Sequence, residues 1–317
     1  MEFKYTLDKR PGKKKLICPS CGVKQKFTPY IDTESEVFLD VNCCGICDRI
    51  NNCGYHLTPK EYFLKHPQLN NQFDIGNFPR PKLRTEEKIS YHDMELVTKS
   101  IIKLTETNLY QSYLNYYDKE TVNHTMKQYK VGYSKLWKGA NIFWQIDSNN
   151  QVRGGKIMLI NKNTHSRVKY PFPHINWVHS CLKNNGMLQS YNLKQCLFGE
   201  HLIDLFPEKN IALVESEKTA LTAAMQYPNL VWVATGSFNL LKQDILKVCN
   251  NRKVLVFPDL GCYDKWKLEV VKIENSLNIK VEMMEILELM ATEKDKQNGF
   301  DIEDYILKDL KSIKGVE

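Results

Sequence analysis

Ile211-Ala212-Leu213-Val214-Glu215-Ser216-Glu217-Lys218-Thr219-Ala220-Leu221 runs from four apolar residues into a carboxylate and then into a helix-forming pattern. A short, wholly apolar run reads as a strand buried on both faces, the habit of parallel sheets. The alternation repeats downstream: strands over 230–234, 253–257 and 280–284, with helices over 217–225, within 238–248 and over 264–277. Four such units predict an α/β domain over residues 209–317, a four-stranded parallel sheet flanked by helices. Parallel connections are right-handed, so the C-terminal ends of the strands share one edge, where α/β folds hold their ligands.

That edge receives acids. Glu215 stands where the first strand stops, and Asp259 follows Lys253-Val254-Leu255-Val256-Phe257-Pro258, with Asp264 at the next helix start. Two carboxylates ~4 Å apart repel by about 4 kcal/mol at an effective dielectric of 20. A divalent cation removes that penalty, and oxygen ligands at an open edge suit Mg2+ or Mn2+. Gly299-Phe300-Asp301-Ile302-Glu303-Asp304-Tyr305 adds Asp301 and Asp304 to the candidates, although a cap of the last helix explains Asp301 equally well.

Upstream, residues 90–208 read as an α+β block. A helical stretch over 109–126 precedes strand-like runs at 141–147 and 156–160, joined through Asn149-Asn150 as a hairpin. Phe143 sits at the strand spacing of a core residue. Residues 68–89 are polar and broken by Asn70-Asn71, Pro79 and Pro81, a linker by composition.

Residues 1–67 carry six cysteines, Cys18, Cys21, Cys43, Cys44, Cys47 and Cys53, in a segment too small for a sizeable core. Cys18-Pro19-Ser20-Cys21 presents two thiolates to one tetrahedral ion, and Zn2+ is the metal that four thiolates favour outside redox chemistry. The second pair is Cys44 with Cys47 or Cys47 with Cys53 by spacing alone. Cys181, Cys196, Cys249 and Cys262 are scattered and read as ordinary buried thiols.

The 317 residues are 42% hydrophobic with a net charge of +7, enough for several cores and incompatible with a disordered chain. Basic clusters at Lys9, Arg10, Lys13, Lys14, Lys15 and at Arg80, Lys82, Arg84 suit a polyanion. The chain has no run of about 18 apolar residues, and Met1-Glu2-Phe3-Lys4-Tyr5 lacks a signal peptide's apolar stretch. The expectation is a cytoplasmic protein without a membrane partner.

Glu215-Ser216-Glu217-Lys218-Thr219-Ala220-Leu221, the glycine turn Ala234-Thr235-Gly236 and Asp259 resemble the motifs of a Toprim domain, closest to phage and plasmid primases. Asp259 takes the place of the first aspartate of that family's Asp-x-Asp motif. The second falls on Gly261, leaving Asp264 as the nearest substitute, while Asp301 and Asp304 look like a later Asp-x-x-Asp element. The order of zinc ribbon, basic subdomain and Toprim domain is similar to theirs. Cys53-Gly54-Tyr55-His56, residues 143–147, Cys196-Leu197-Phe198-Gly199-Glu200-His201 and residues 214–220 resemble an uncharacterised primase-like family of Bacteroidetes and their mobile elements, whose spacing favours Cys47 with Cys53.

The resemblance implies a DNA primase-type nucleotidyltransferase that makes short oligonucleotides on single-stranded DNA from nucleoside triphosphates, with a replicative helicase as an expected partner. Glu215, Asp259 and Asp264 would be catalytic, with Asp301 and Asp304 joining Glu215 and Asp259 around the catalytic metal. Arg153, Lys156 and Lys218 would neutralise phosphate or template charge, and Trp137, Phe143 and Trp144 would stack template bases. Cys18, Cys21, Cys47 and Cys53 would hold structural zinc. The alternatives are a Toprim nuclease and a non-catalytic single-stranded-DNA-binding accessory protein.

Overall fold

The computed structural model describes residues 4–8, 10, 15–49, 53–67 and 88–314, and the chain divides into two compact units, 1–85 and 86–317. Lys9, Lys13, Lys14, Arg80, Lys82 and Arg84 lie outside the described residues, as do Asn70-Asn71, Pro79, Pro81 and the rest of 68–87. No helix among the described residues is long and apolar enough to cross a membrane.

The first unit is an antiparallel sheet of β1 (Tyr5–Leu7), β2 (Phe27–Asp32), β3 (Gly45–Cys47) and β4 (His56–Leu57), in that spatial order, followed by α1 (Pro59–Lys65). Thr58 caps α1 reciprocally with Glu61, and Pro59 opens it, since its missing N–H has no partner to lose there. Gly45 is required by space: a Cβ there would meet Thr28 O at 2.4 Å and the Phe27 ring at 2.6 Å. The apolar clusters of this unit are small, and one of them is built around cysteines.

The second unit contains two sheets. The first is antiparallel, β5 (Val131–Ser134), β6 (Ala140–Ile146), β7 (Val152–Met158) and β8 (Ile175–Trp177); the second is parallel, β9 (Ile211–Val214), β10 (Val231–Ala234), β11 (Lys253–Val256) and β12 (Lys280–Met283). Helices α2 (Met94–Ile101), α3 (Asn108–Tyr113), α4 (Lys119–Gln128) and α5 (Val178–Asn184) surround the first sheet. With the second come α6 (Glu217–Gln226), α7 (Gln243–Leu246), α8 (Tyr263–Glu274), α9 (Ile286–Met290), α10 (Glu293–Asn298) and α11 (Ile302–Lys314).

Every residue of β6 is buried, because both faces are covered. Ile142, Trp144 and Ile146 pack with Val97 and Val178, while Phe143 joins the main core with Phe198, Leu213 and Trp232. The expected helix over 109–126 is two helices instead. Asp118 interrupts it by accepting the Thr121 N–H at 2.9 Å, which starts α4. Tyr113, in the last turn of α3, and Tyr117, in the break, both hydrogen-bond to α6. The helix expected within 238–248 is reduced to α7 between two short 3₁₀ turns.

The parallel sheet has the order β10-β9-β11-β12. From β9 the chain steps to β10 on one side, then crosses back to β11 on the other. Right-handed crossovers in opposite directions place their helices on opposite faces and open a crevice beyond the tips of β9 and β11. Residues 215 and 259 leave those two strands.

Candidate metal centres

In the first unit, Gly22 N–H donates to Cys18 O at 2.9 Å and Cys18 N–H to Val23 O at 3.1 Å, a turn that uses Gly22 at φ +68°. Facing it, Cys47 N–H reaches Tyr55 O, and the N–H groups of Cys53 and Gly54 converge on Arg49 O at 2.7 and 3.2 Å. These two turns bring the sulfurs of Cys18, Cys21, Cys47 and Cys53 within 4.8 Å of one another. Cys18 and Cys53 are 3.7 Å apart and Cys21 and Cys47 4.0 Å. A tetrahedral zinc with bonds of about 2.3 Å separates its sulfurs by about 3.8 Å, so the donor set and its size suit Zn2+.

The other two thiols of the segment are engaged elsewhere. Cys43 donates to Asp40 and Cys44 to Leu57 O. Burial, with Asp40 beside it, pushes Cys43 up to about 11, and burial pushes Cys44 up to about 12, so both remain thiols near neutrality. The Val23 N–H holds Cys21 down to about 6, whereas burial pushes Cys47 up to about 12; a cation among the four sulfurs removes that penalty.

In the second unit, Glu215 directly follows β9, and Asp259 is three residues beyond β11, beside it. Gly236 N–H donates to Glu215 O at 2.7 Å, which ties the β9 tip to the turn after β10. Burial raises the Glu215 carboxyl, opposed by the Phe238 N–H and by Lys265 and Lys156. Asp259 is pushed up to about 8 by burial and then by the charges of Asp301, Glu215 and Asp304. Asp301 is pushed up to about 7 by burial and by Glu303 and Asp304.

The four acids therefore share one electrostatic field. Among the described residues the cysteines are the group with ligand atoms within 4.8 Å of one another, and the carboxylates stand wider. Such spacing fits a cation that keeps several of its waters. Asp301 also accepts the N–H groups of Glu303 and Asp304 at 2.8 and 3.3 Å, and Asp304 accepts the Asp301 N–H, so the helix-capping role is real as well. Thr219 fixes the other Asp301 oxygen at 2.5 Å. Asp264 is exposed in the first turn of α8, and the acids acting on Asp259 are the other three. Gly261, at φ +76°, gives its N–H to Glu288.

The three candidate cations all have carboxylate partners. Arg153 meets the buried Asp147 at 2.5 Å, Lys156 straddles both oxygens of the buried Glu217 at 3.0 Å, and Lys218 pairs with Glu303. Glu303 is further held by His165 Nε2 at 3.0 Å and Thr222 Oγ1 at 2.6 Å, and His165 Nδ1 contacts Ser112 Oγ at 2.7 Å. Burial alone would raise Glu303, but Lys218 and His165 hold it down to about 2. Phe143 and Trp144 are core residues, so neither ring is open to a base.

Residues 107–260 match a family described as a domain of unknown function (DUF6371). Residues 3–68 match a zinc beta-ribbon finger. No curated protein matches the chain. Among solved structures it is similar to the primase fragment of the bacteriophage T7 primase-helicase protein, at 10% identity and a TM-score of 0.35 over 90% of this chain and 98% of that one. The zinc-binding and RNA polymerase domains of Aquifex aeolicus primase give 13% identity and 0.33 over 98% and 83%. The RNA polymerase domain of Mycobacterium tuberculosis primase DnaG gives 9% and 0.41 over 65% and 80%.

Three residues at or beside the carboxylate centre were given no site role by the sequence: Glu217, Glu303 and His165. Glu217 sits in the quoted strand-to-helix stretch and carried a signal, an acid on a face that α6 otherwise buries. His165 carried none, since the contact that matters crosses 138 residues to Glu303. Lys265, which the sequence offers as a partner for the strand-end acids, does act on Glu215, with its Nζ 3.9 Å from the Phe238 ring.

Proposed function

We propose that this chain is a primase-type nucleotidyltransferase, with a Toprim-like carboxylate centre in its second unit and a structural zinc ribbon in its first. The observation that carries the reading is the placement of Glu215 and Asp259 beyond the two central strands, at the switch point of the sheet, with Asp259 pushed up to about 8 by burial and by its acidic neighbours. Glu215 and Asp259 would hold Mg2+ or Mn2+, with Asp301, oriented by Thr219, and Asp304 completing the oxygen set. When bound, the cation supplies charge against nucleoside triphosphate oxygens and favours ionisation of an attacking 3′-hydroxyl.

The chain's own part is placement. Lys156, bridging Glu217 and Gly236 O, braces β7 against the turn after β10, which in turn holds the Glu215 backbone. Lys265 acts on Glu215 and has no carboxylate within 4.0 Å among the described residues, which leaves its charge for a phosphate. The substrates of this reading are single-stranded DNA and nucleoside triphosphates, and a replicative helicase is its natural partner.

Labelled-nucleotide incorporation on single-stranded DNA, with Mg2+ or Mn2+, tests it. Wild type should synthesise short oligonucleotides, and Glu215→Gln should lose at least about 100-fold, because a missing metal ligand removes transition-state charge stabilisation. Equal activity in the variant sinks the site. Incision of plasmid DNA without nucleotides would assign the nuclease alternative. Binding of single strands without any metal-dependent chemistry would assign the accessory protein, the reading that Gly261 favours.

A further inference from the structure

We infer that the strap from Val168 to His174, between β7 and β8, is a base-stacking platform for single-stranded nucleic acid. The inference rests on this surface and not on the carboxylate centre. His174 N–H donates to Val168 O at 3.1 Å and Leu159 N–H to His174 O at 3.1 Å, so the strap is closed at its base. Pro171 and Pro173 restrict its backbone and lower the entropy lost when a ligand orders it.

On this short loop Tyr170 is 86% exposed and Phe172 51% exposed. The Phe172 ring lies parallel to His174, 4.5 Å between centroids and 15° between planes, and Trp137 meets the same imidazole edge-on at 5.0 Å. Phe172, stacked on His174 with Trp137 behind it, and the exposed Tyr170 two residues away offer flat apolar faces of base size. Single exposed apolar residues are ordinary, but two within three residues of a braced loop, one of them laid on an imidazole, form a shared face.

The charge around the rings selects the partner. From residue 148 to residue 199 the chain has no Asp or Glu and seven Lys or Arg. Arg167 precedes the strap, Lys169 lies within it, and both are exposed; Lys135 and Lys138 flank Trp137 and are exposed too, and among the described residues none of the four forms an ion pair. Cations alternating with aromatic faces are what a phosphodiester backbone with unpaired bases requires. A duplex hides those faces, and an apolar protein partner has no use for the cations.

The test is fluorescence anisotropy with the full chain, a labelled oligothymidylate and a duplex of equal length, over a salt series. Tyr170→Ala and Phe172→Ala should each weaken single-strand binding about tenfold at one salt concentration and leave the slope of log affinity against log salt unchanged, while Phe172→Trp keeps the affinity. Arg167→Ala and Lys169→Ala should each flatten that slope by about 0.7. Glu95→Ala, at an exposed helical position outside both surfaces, should bind as wild type, and the assay holds no nucleotide or divalent cation, which separates this surface from the catalytic reading. Unchanged affinity in both alanine variants, or an equal loss on duplex, overturns the proposal.

Discussion

The cysteine cluster and the carboxylate cluster meet the same electrostatic difficulty in opposite ways. Four sulfurs are drawn together by two tight turns, closed by backbone hydrogen bonds and offering the Val23 and Arg49 N–H groups to Cys21 and Cys47, with Sγ separations of 3.7 and 4.0 Å. Four carboxylates are instead delivered by a sheet and a helix start, spaced more widely, and perturbed upward by burial and one another. The first arrangement is closed and suits a soft, permanent ion; the second is open and suits a hard ion that comes with water and a phosphate. Local chain geometry builds the former and topology the latter.

The largest effect that can break this contrast lies in the ribbon. A structural zinc contributes about 10–16 kcal/mol of apparent binding free energy, which in so small a unit is folding free energy. The protein should carry one zinc per chain by elemental analysis. Cys47→Ser should abolish retention and expose the first unit to protease, whereas Cys44→Ser should keep the metal, since Cys44 points at Leu57 O. Zinc retained in Cys53→Ser and lost in Cys44→Ser would reinstate the rival pairing of Cys44 with Cys47.

A smaller effect belongs to the second unit. Glu303 is buried among His165, Thr222 and Lys218, and removing it leaves a buried imidazole and a largely buried ammonium without their acceptor. Glu303→Ala should destabilise by about 3–5 kcal/mol in urea unfolding. Glu95→Ala, which breaks an exposed and solvent-screened helical pair with Lys99, should leave the unfolding midpoint nearly unchanged. Because Glu303 is held down to about 2, its contribution is present above its unfolded value near 4.5 and is lost as pH falls from there through about 2. A Glu303→Ala loss as small as that of Glu95→Ala would show that the network is solvated rather than buried.

What sequence reading reached follows the same division. The strand Ile211–Val214 and its parallel neighbours were legible because a sheet buried on both faces leaves unbroken apolar runs. Cysteine spacing marked the ribbon because each turn spans only a few residues. Glu215 and Asp259 were legible as strand-end acids, and their neighbourhood follows from strand order, which crossover rules constrain. The break at Asp118 has a local cause, its cap on Thr121, that the helical pattern overrode; the hydrogen bonds of Tyr113 and Tyr117 to Thr222, more than a hundred residues away, lay beyond the sequence's reach. Lys156 and Lys218 have partners, Glu217 and Glu303, that emerge only once distant elements pack, whereas Asp147 lies six residues from Arg153 in the same hairpin and was within the sequence's reach. Gly261 and Asp264 show the limit in reverse, since sequence proximity to Asp259 did not put Asp264 among the acids that act on it.

The finest test of the contrast is its pH dependence. A carboxyl raised in the folded state contributes stability that is fully present below its unfolded pKa and is lost as pH rises through the folded value. For Asp259 that window runs from 3.8 to about 8, and for Asp301 from 3.8 to about 7. Without divalent cation the second unit should therefore melt lower at pH 8.5 than at pH 6, and Mg2+ should raise its melting temperature more at pH 8.5, where the acids are ionised. Asp259→Asn cannot ionise, so without Mg2+ it should melt above wild type at pH 8.5, by about 2–4 °C for each kcal/mol recovered in a unit of this size. The same variant should lose most of the Mg2+ response. Equal Mg2+ shifts at both pH values, in wild type and variant alike, would mean that the carboxylates do not act as one site, and the difference between the two centres would then be one of ligand type alone.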